Sequence, residues 1–158
     1  MPIYTLGVYG KTEEEFFNTL IDEGVNCFID IRQRRGVRGS KYSFVNSIYL
    51  QKKLKALRIE YLHIKSLAPT KEIREVQKTA DSINKETKSK REFLSSEFCC
   101  EYEKLILDNY SFELEIKMLK EGKSIALFCV EQHHLACHRH IVAKKLQNIS
   151  NSESVINL

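Results

Sequence analysis

The chain lacks nearly every feature that announces a function. It has no tryptophan, two prolines and six glycines among 158 residues, with no low-complexity segment and no internal repeat. Its longest purely apolar run, Ile125 to Val130, falls far short of the roughly 20 residues a membrane helix needs, so no membrane partner is expected. No secretory pattern precedes the first strand-like segment, which begins almost at Met1. Neither a G-x-x-x-x-G-K phosphate loop nor a dinucleotide fingerprint is present, which argues against the commonest nucleotide-binding folds. Cysteine is present, but the count of five is odd. With no secretion signal, reduced thiols in the cytoplasm are the expectation, not a disulfide framework.

A hydrophobic fraction of 42%, with seven tyrosines and eight phenylalanines, fits a soluble globular chain able to fill one core. Residues 1–147 read as a single α/β domain and residues 148–158 as a polar tail that frays. The net charge is only +4, but it is unevenly placed. Arg32, Arg34, Arg35, Arg38 and Lys41 fall in a stretch without an acid, interleaved with Gly36 and Gly39, and that pattern suits an anion-binding loop. Lys85, Lys88, Lys90 and Arg91 form a second basic group, read as a solvated surface.

Patterning alternates between strands and helices. Ile3 to Val8 reads as a strand. Thr12 with Glu15 forms a capping box for a helix that turns Phe16, Leu20 and Ile21 inward and stops at Gly24. Val25 to Ile31 is nearly all apolar, as in a central parallel strand. After the long Arg32–Asn46 loop, Leu50, Leu54 and Leu57 mark a helix and Ile59 to Ile64 a third strand. Pro69-Thr70 opens a helix with Ile73, Val76, Ala80 and Ile83 inward. Phe93 to Leu119 is helical with a break near Asn109. Lys123 to Cys129 is a fourth strand, and Leu135 to Gln147 the last helix. This order predicts a Rossmann-like, three-layer α/β domain with a mostly parallel sheet of about four or five strands. Right-handed crossovers then bring every strand's carboxyl end to one edge, where such folds bind ligands.

The residues at that edge carry the chemistry. Cys129, at the end of the fourth strand, is either a small core thiol or an exposed nucleophile with a pKa lowered by Arg139 or a helix N-terminus. Cys137, placed in the first turn of the last helix, meets orphan N–H groups that favour a thiolate or a bound anion. Asp30 and Arg32 flank Ile31, so alternation puts them on one side. They are either a local ion pair or an anion grip with a base. His63 ends the third strand. Glu131 is a candidate acid or base, or the partner of an imidazole or of Arg139. Cys129, His133, His134, Cys137 and His138 are zinc-like donors, but their spacing matches no common structural zinc pattern, and no metal is assigned. The spacing from either cysteine to Arg139 also misses that of a cysteine-phosphatase or rhodanese loop.

Taken together, Thr5-Leu6-Gly7, Asp30-Ile31-Arg32, Ile59-Glu60-Tyr61-Leu62-His63 and above all Cys129-Val130-Glu131 with Cys137-His138-Arg139 resemble the domain of unknown function 488 family over residues 3 to 146. Leu67-Ala68-Pro69-Thr70 with Gln77 and Asp81 is similar to one branch of it. The resemblance implies a Rossmann-like domain with a polar site at the strand carboxyl edge, and no established reaction. The family's Pro–Ser–Arg-like element is altered here to Gln33–Ser40, where Arg38 or Ser40 stands in for parts of it.

The sequence thus leaves three alternatives. One is an enzyme acting on a phosphate-bearing substrate, a nucleotide or nucleic acid. It would use Cys129 or Cys137 as nucleophile or redox thiol, Glu131, His138, His63 and Asp30 for proton transfer and orientation, and Arg32, Arg38, Ser40 and Arg139 to hold the anion. Another is a nucleic-acid-binding module that stacks bases on Tyr42 and Phe44. The third is a metal-supported domain with Cys129, Cys137 and a histidine as ligands. No cofactor and no oligomeric state is legible.

Overall fold

The computed structural model describes residues 1–88, 90–152 and 154–158. Its elements run β1 (Ile3–Leu6), α1 (Glu13–Asp22), β2 (Cys27–Asp30), α2 (Ser47–Ala56), β3 (Glu60–His63), α3 (Lys71–Asn84), α4 (Ser96–Leu105), α5 (Glu113–Lys120), β4 (Ile125–Phe128), α6 (His138–Ser150) and β5 (Val155–Asn157). The five strands form one sheet in the order β3-β2-β4-β1-β5. Every pairing is parallel, so helices cover both faces in a three-layer α/β arrangement.

The central strand is β4, between β2 and β1. Its run Ile125-Ala126-Leu127-Phe128 is fully buried, as a strand enclosed on both faces must be. Because β1 and β2 lie on either side of it, the chain's path across the sheet divides at β4. The end of β4 is therefore the topological switch point where such sheets bind ligands.

Local signals explain the helix ends. Glu15 N–H donates to Thr12 Oγ1 at 3.2 Å, and Thr12 N–H donates to Glu15 Oε2 at 2.7 Å, closing the capping box of α1. Gly24, at φ +63°, takes the left-handed conformation that turns the chain into β2. From α1, the Phe16 ring meets Phe28 of β2 at 6.1 Å and Phe128 of β4 at 5.5 Å, both edge-on. Phe17 is buried beside Phe16, whereas Ile21, expected inward, is 51% exposed. In α3, Thr70 caps the helix as expected, but Ile83 is exposed and Gln77 is the buried residue of that face together with Ile73.

The strands are shorter than expected by one to three residues at their ends, and two differences go further. The last helix starts at His138, because residues 134–136 form a separate tight turn and Cys137 is the extended N-cap residue. The end of the polar tail, expected to fray, forms β5 beside β1. Val155 and Ile156 pack against the core. Thr5 Oγ1 donates to Asn157 Oδ1 at 2.8 Å, and Leu158 N–H donates to Thr5 O at 2.9 Å. The unpaired edge of β1 supplies the reason, since a strand edge is a template for any extended segment that reaches it. Truncation after Ser150 is expected to lower stability by roughly 1–3 kcal/mol, from two half-buried aliphatic side chains and the lost pairing. A urea unfolding midpoint equal to that of the full chain would show that β5 contributes nothing.

Candidate functional site

The sheet's carboxyl edge opens into a cavity of about 590 Å³ above the end of β4. Beyond the strand ends, the backbone pairing of β1 and β4 continues, with Cys129 N–H to Leu6 O at 3.3 Å and Val8 N–H to Val130 O at 3.2 Å. Gly7 sits at this junction. A Cβ there would lie 2.1 Å from the Glu131 carbonyl oxygen and 3.0 Å from Arg139 Nη2, so only glycine lets the two segments approach. The Glu131 carbonyl also accepts from Arg139 Nη1 at 2.6 Å, and the Gln132 carbonyl accepts from Nη2 at 3.2 Å. Arg139 is 1% exposed. It ties the start of α6 to the segment after β4 and does not line the cavity.

That tie brings Cys129 and Cys137 together. Cys129 Sγ, Cys137 Sγ and a ring nitrogen of His138 all lie within 4.8 Å of one another, and all three residues are buried. Cys137 Sγ is 3.8 Å from His138 Nδ1, while His138 Nε2 faces the Ile31 carbonyl at 3.2 Å. The Tyr102 ring of α4 packs edge-on against His138 at 5.6 Å. The thiol of Cys129 donates to Glu131 Oε2 at 3.3 Å, with the Cys137 sulfur beside it. The Cys137 hydrogen bond, burial and nearby negative charge push Cys129 well above its ordinary pKa. Burial would also raise Cys137, but the Cys129 thiol and the His138 ring, with Arg139 adding positive charge, outweigh it and hold Cys137 well below its ordinary value. The His138 imidazole moves up, because the Cys137 sulfur overcomes burial. Free Cys27, in contrast, is pushed up to about 12 by burial.

Asp30 and Arg32 form the second buried unit. Asp30 Oδ1 accepts from Arg32 Nε at 2.9 Å and Oδ2 from Arg32 Nη2 at 2.7 Å, a bidentate pair that leaves the side chains 0% and 4% exposed. Nη2 also donates to the Val45 carbonyl at 2.9 Å, and the guanidinium lies 4.7 Å from the Phe128 ring centroid. Tyr61 donates to Asp30 Oδ2 at 2.9 Å, and burial together with Asp30 pushes its phenol up to about 12. His63 Nε2 lies 2.8 Å from the Arg32 carbonyl. Arg32 lines the cavity, whereas Asp30 and His63 stand behind it and position it. Among the described residues, Arg32 Nη1 has no hydrogen-bond partner.

The second basic group corrects the sequence reading. Lys85 is exposed, but Arg91 is 7% exposed and lines the cavity. Its Nη1 donates to Asp81 Oδ2 at 2.8 Å and its Nη2 to the Ala136 carbonyl at 3.1 Å, while Nε has no partner among the described residues. Gln77 Nε2 completes the network by donating to Asp81 Oδ1 at 2.7 Å. The signal for it was in the sequence. Gln77 and Asp81 are four apart, a polar stripe on one helix face that needed a buried cation.

Other expectations redistribute. Glu131 keeps its carboxylate at the cavity, against Cys129 and 3.1 Å from Lys88 Nζ, and only its carbonyl meets Arg139. Arg38 lines the cavity; Ser40 is exposed outside it. Phe44 is 6% exposed and packs on Phe16 and Phe17, so no base can stack on it. Tyr42 is half-buried, with its ring 5.2 Å from Tyr9 at the cavity and its hydroxyl accepting from Gly10 N–H at 2.9 Å.

Fold and site together define a parallel α/β protein with a thiol–imidazole centre at the carboxyl edge of its central strand. The chain belongs to the family described as Domain of unknown function DUF488, whose sequence profile matches residues 12–146. No curated protein and no solved structure matches it. Among the described residues, no helix is long and apolar enough to cross a membrane.

Because the Glu131 carbonyl is fixed from both sides, Gly7→Ala is expected to destabilise the protein by about 1–3 kcal/mol through overpacking. Denaturant unfolding checks this. A change within roughly 0.5 kcal/mol, the range of ordinary surface substitutions, would mean that the junction yields easily.

Proposed function

We propose that this chain is an enzyme acting on a phosphate-bearing substrate of nucleotide size, with its chemistry at the Cys129, Cys137, His138 and Glu131 end of the cavity. The observation that carries the reading is charge. Arg32, Arg34, Arg38, Arg74, Lys78, Lys88 and Arg91 line the cavity against two carboxylates, Asp81 and Glu131. Arg32 and Arg91 are nine-tenths buried at the cavity wall, so water screens their charge less than it screens a surface charge. An oxyanion is the ligand that offsets such an excess of positive charge.

Size and lining support a mononucleotide over a polymer. The cavity volume is in the range of small-ligand sites. Tyr9, Tyr42, Leu94 and Phe98 give it an apolar wall for a base or another flat group. The thiols and the imidazole sit at the floor, and Glu131 is the group placed to carry protons. In this reading Asp30, His63 and Arg139 are positioning residues.

The test is thermal unfolding with nucleoside mono-, di- and triphosphates, inorganic phosphate, and short DNA and RNA, in wild type and in the rim variants Arg38→Ala and Arg74→Ala. A native-state ligand at 100 times its Kd stabilises by about 2.7 kcal/mol. Stabilisation by a nucleotide that weakens in both variants and with added salt is expected. Stabilisation by polymers alone would replace the reading with nucleic-acid binding. No shift with any anion would sink it.

A further inference from the structure

We propose that Cys129, Cys137 and His138 hold a zinc ion through Cys129 Sγ, Cys137 Sγ and His138 Nδ1, with the fourth coordination position open to the cavity. The inference concerns the chemical end of the same cavity, and rests on the reading above only for what would occupy that fourth position.

Distance is the first support. Tetrahedral zinc with bonds of about 2.3 Å to sulfur and 2.0 Å to nitrogen places its ligand atoms roughly 3.5–3.8 Å apart. Here the three candidate atoms lie within 4.8 Å of one another, and Cys137 Sγ to His138 Nδ1 is 3.8 Å. Side-chain adjustments of well under a rotamer step close the set on an ion.

The imidazole is already oriented for the task. His138 Nε2 lies 3.2 Å from the Ile31 carbonyl, which can only accept, so Nε2 carries a proton. That leaves Nδ1 facing the sulfurs, where the neutral imidazole offers its lone pair to a metal. A ligand histidine whose other nitrogen donates to a carbonyl is the usual outer arrangement of protein zinc sites. Adjacent ligands are possible because Cys137 is extended (φ −136°, ψ 142°) and His138 begins a helix, which turns both side chains into one space.

Chemistry and charge select the ion. Two sulfurs and an imidazole are soft and borderline donors, which favour zinc over magnesium or calcium. All three residues are less than a tenth exposed. Zinc binding releases the Cys129 proton; two thiolates, a neutral imidazole and a divalent cation then sum to zero, with the nearby Glu131 carboxylate paired to Lys88. The ligands come from the end of β4 and the start of α6, fixed by Gly7 and Arg139, so the site is formed by the fold itself. All three line the cavity. Three protein ligands with one open position is the pattern of catalytic zinc, not structural zinc.

The test uses the full chain, purified without metal-affinity steps. Elemental analysis should give close to one zinc per chain. Cobalt added to chelator-stripped protein should show the sulfur-to-metal charge-transfer bands and intense visible bands of a tetrahedral thiolate site. Cys137→Ser and His138→Ala should each weaken zinc binding at least 100-fold in competition with a chromophoric chelator, while Cys99→Ser and Cys100→Ser leave it unchanged. X-ray absorption of the zinc-loaded wild type, which needs no variant to fold, should show two sulfurs and one nitrogen in the first shell. Substoichiometric zinc that added zinc does not correct, or a first shell without sulfur, overturns the inference. A nucleotide that stabilises the zinc-free protein would leave the anion reading standing if zinc fails. Zinc bound with no anion response would do the reverse.

Discussion

The structure depends on one buried guanidinium. Arg139 takes hold of the main-chain carbonyls of Glu131 and Gln132, and so joins the first turn of α6 to the segment that leaves β4. Its effect is geometric: it fixes where the chain goes after the central strand, and therefore which side chains meet. Gly7 makes the joint possible from the other side, since any Cβ would occupy the space of the Glu131 carbonyl. With that carbonyl fixed, Cys129 and Cys137, eight positions apart, are brought within 4.8 Å.

A second buried arginine does comparable work from β2. Arg32 is held by Asp30, by the Val45 carbonyl and by the face of Phe128, and Asp30 is held in turn by Tyr61. Removing either partner of such a pair leaves an uncompensated charge in the core, which typically costs 3–5 kcal/mol. The pair therefore fixes the mouth of the Arg32–Asn46 loop. Arg91, with Asp81 and Gln77, fixes the turn before Cys137 in the same way. Three arginines rigidify the walls, and two of them, Arg32 and Arg91, line the cavity.

The electrostatics follow from this arrangement. The Cys129 thiol beside the Cys137 sulfur, His138 and Arg139 separates two chemically identical groups, one held protonated and the other favoured as thiolate. Cys27 lies in the same sheet with no second thiol or imidazole beside it, and burial, with Glu60 adding to it, holds it protonated. Environment, not residue type, distinguishes the chemical cysteines from the packing cysteine.

Much of the fold was legible in one dimension. Alternating strand and helix patterns fixed the class, the Thr12 capping box and Gly24 fixed the ends of α1, and the apolar run of β4 marked the central strand. The cysteines, Glu131 and His138 were visible as a dense set of reactive groups at a strand end. What sequence could not decide was direction and partnership. The sequence made Arg139 a holder of the anion, but its long side chain turns to the Glu131 and Gln132 carbonyls and away from the cavity. The sequence also placed Arg91 at a solvated surface, because a basic run looks the same whether or not a carboxylate such as Asp81 waits ten residues away. β5 was invisible because a short polar tail has no strand signal until the open edge of β1 supplies the missing hydrogen bonds. The sequence alone determined the α/β class and the inventory of reactive groups, since both follow from local patterns. Only the tertiary structure decided which groups face one another, because that depends on a close backbone approach at Gly7 and on buried charges that must find partners.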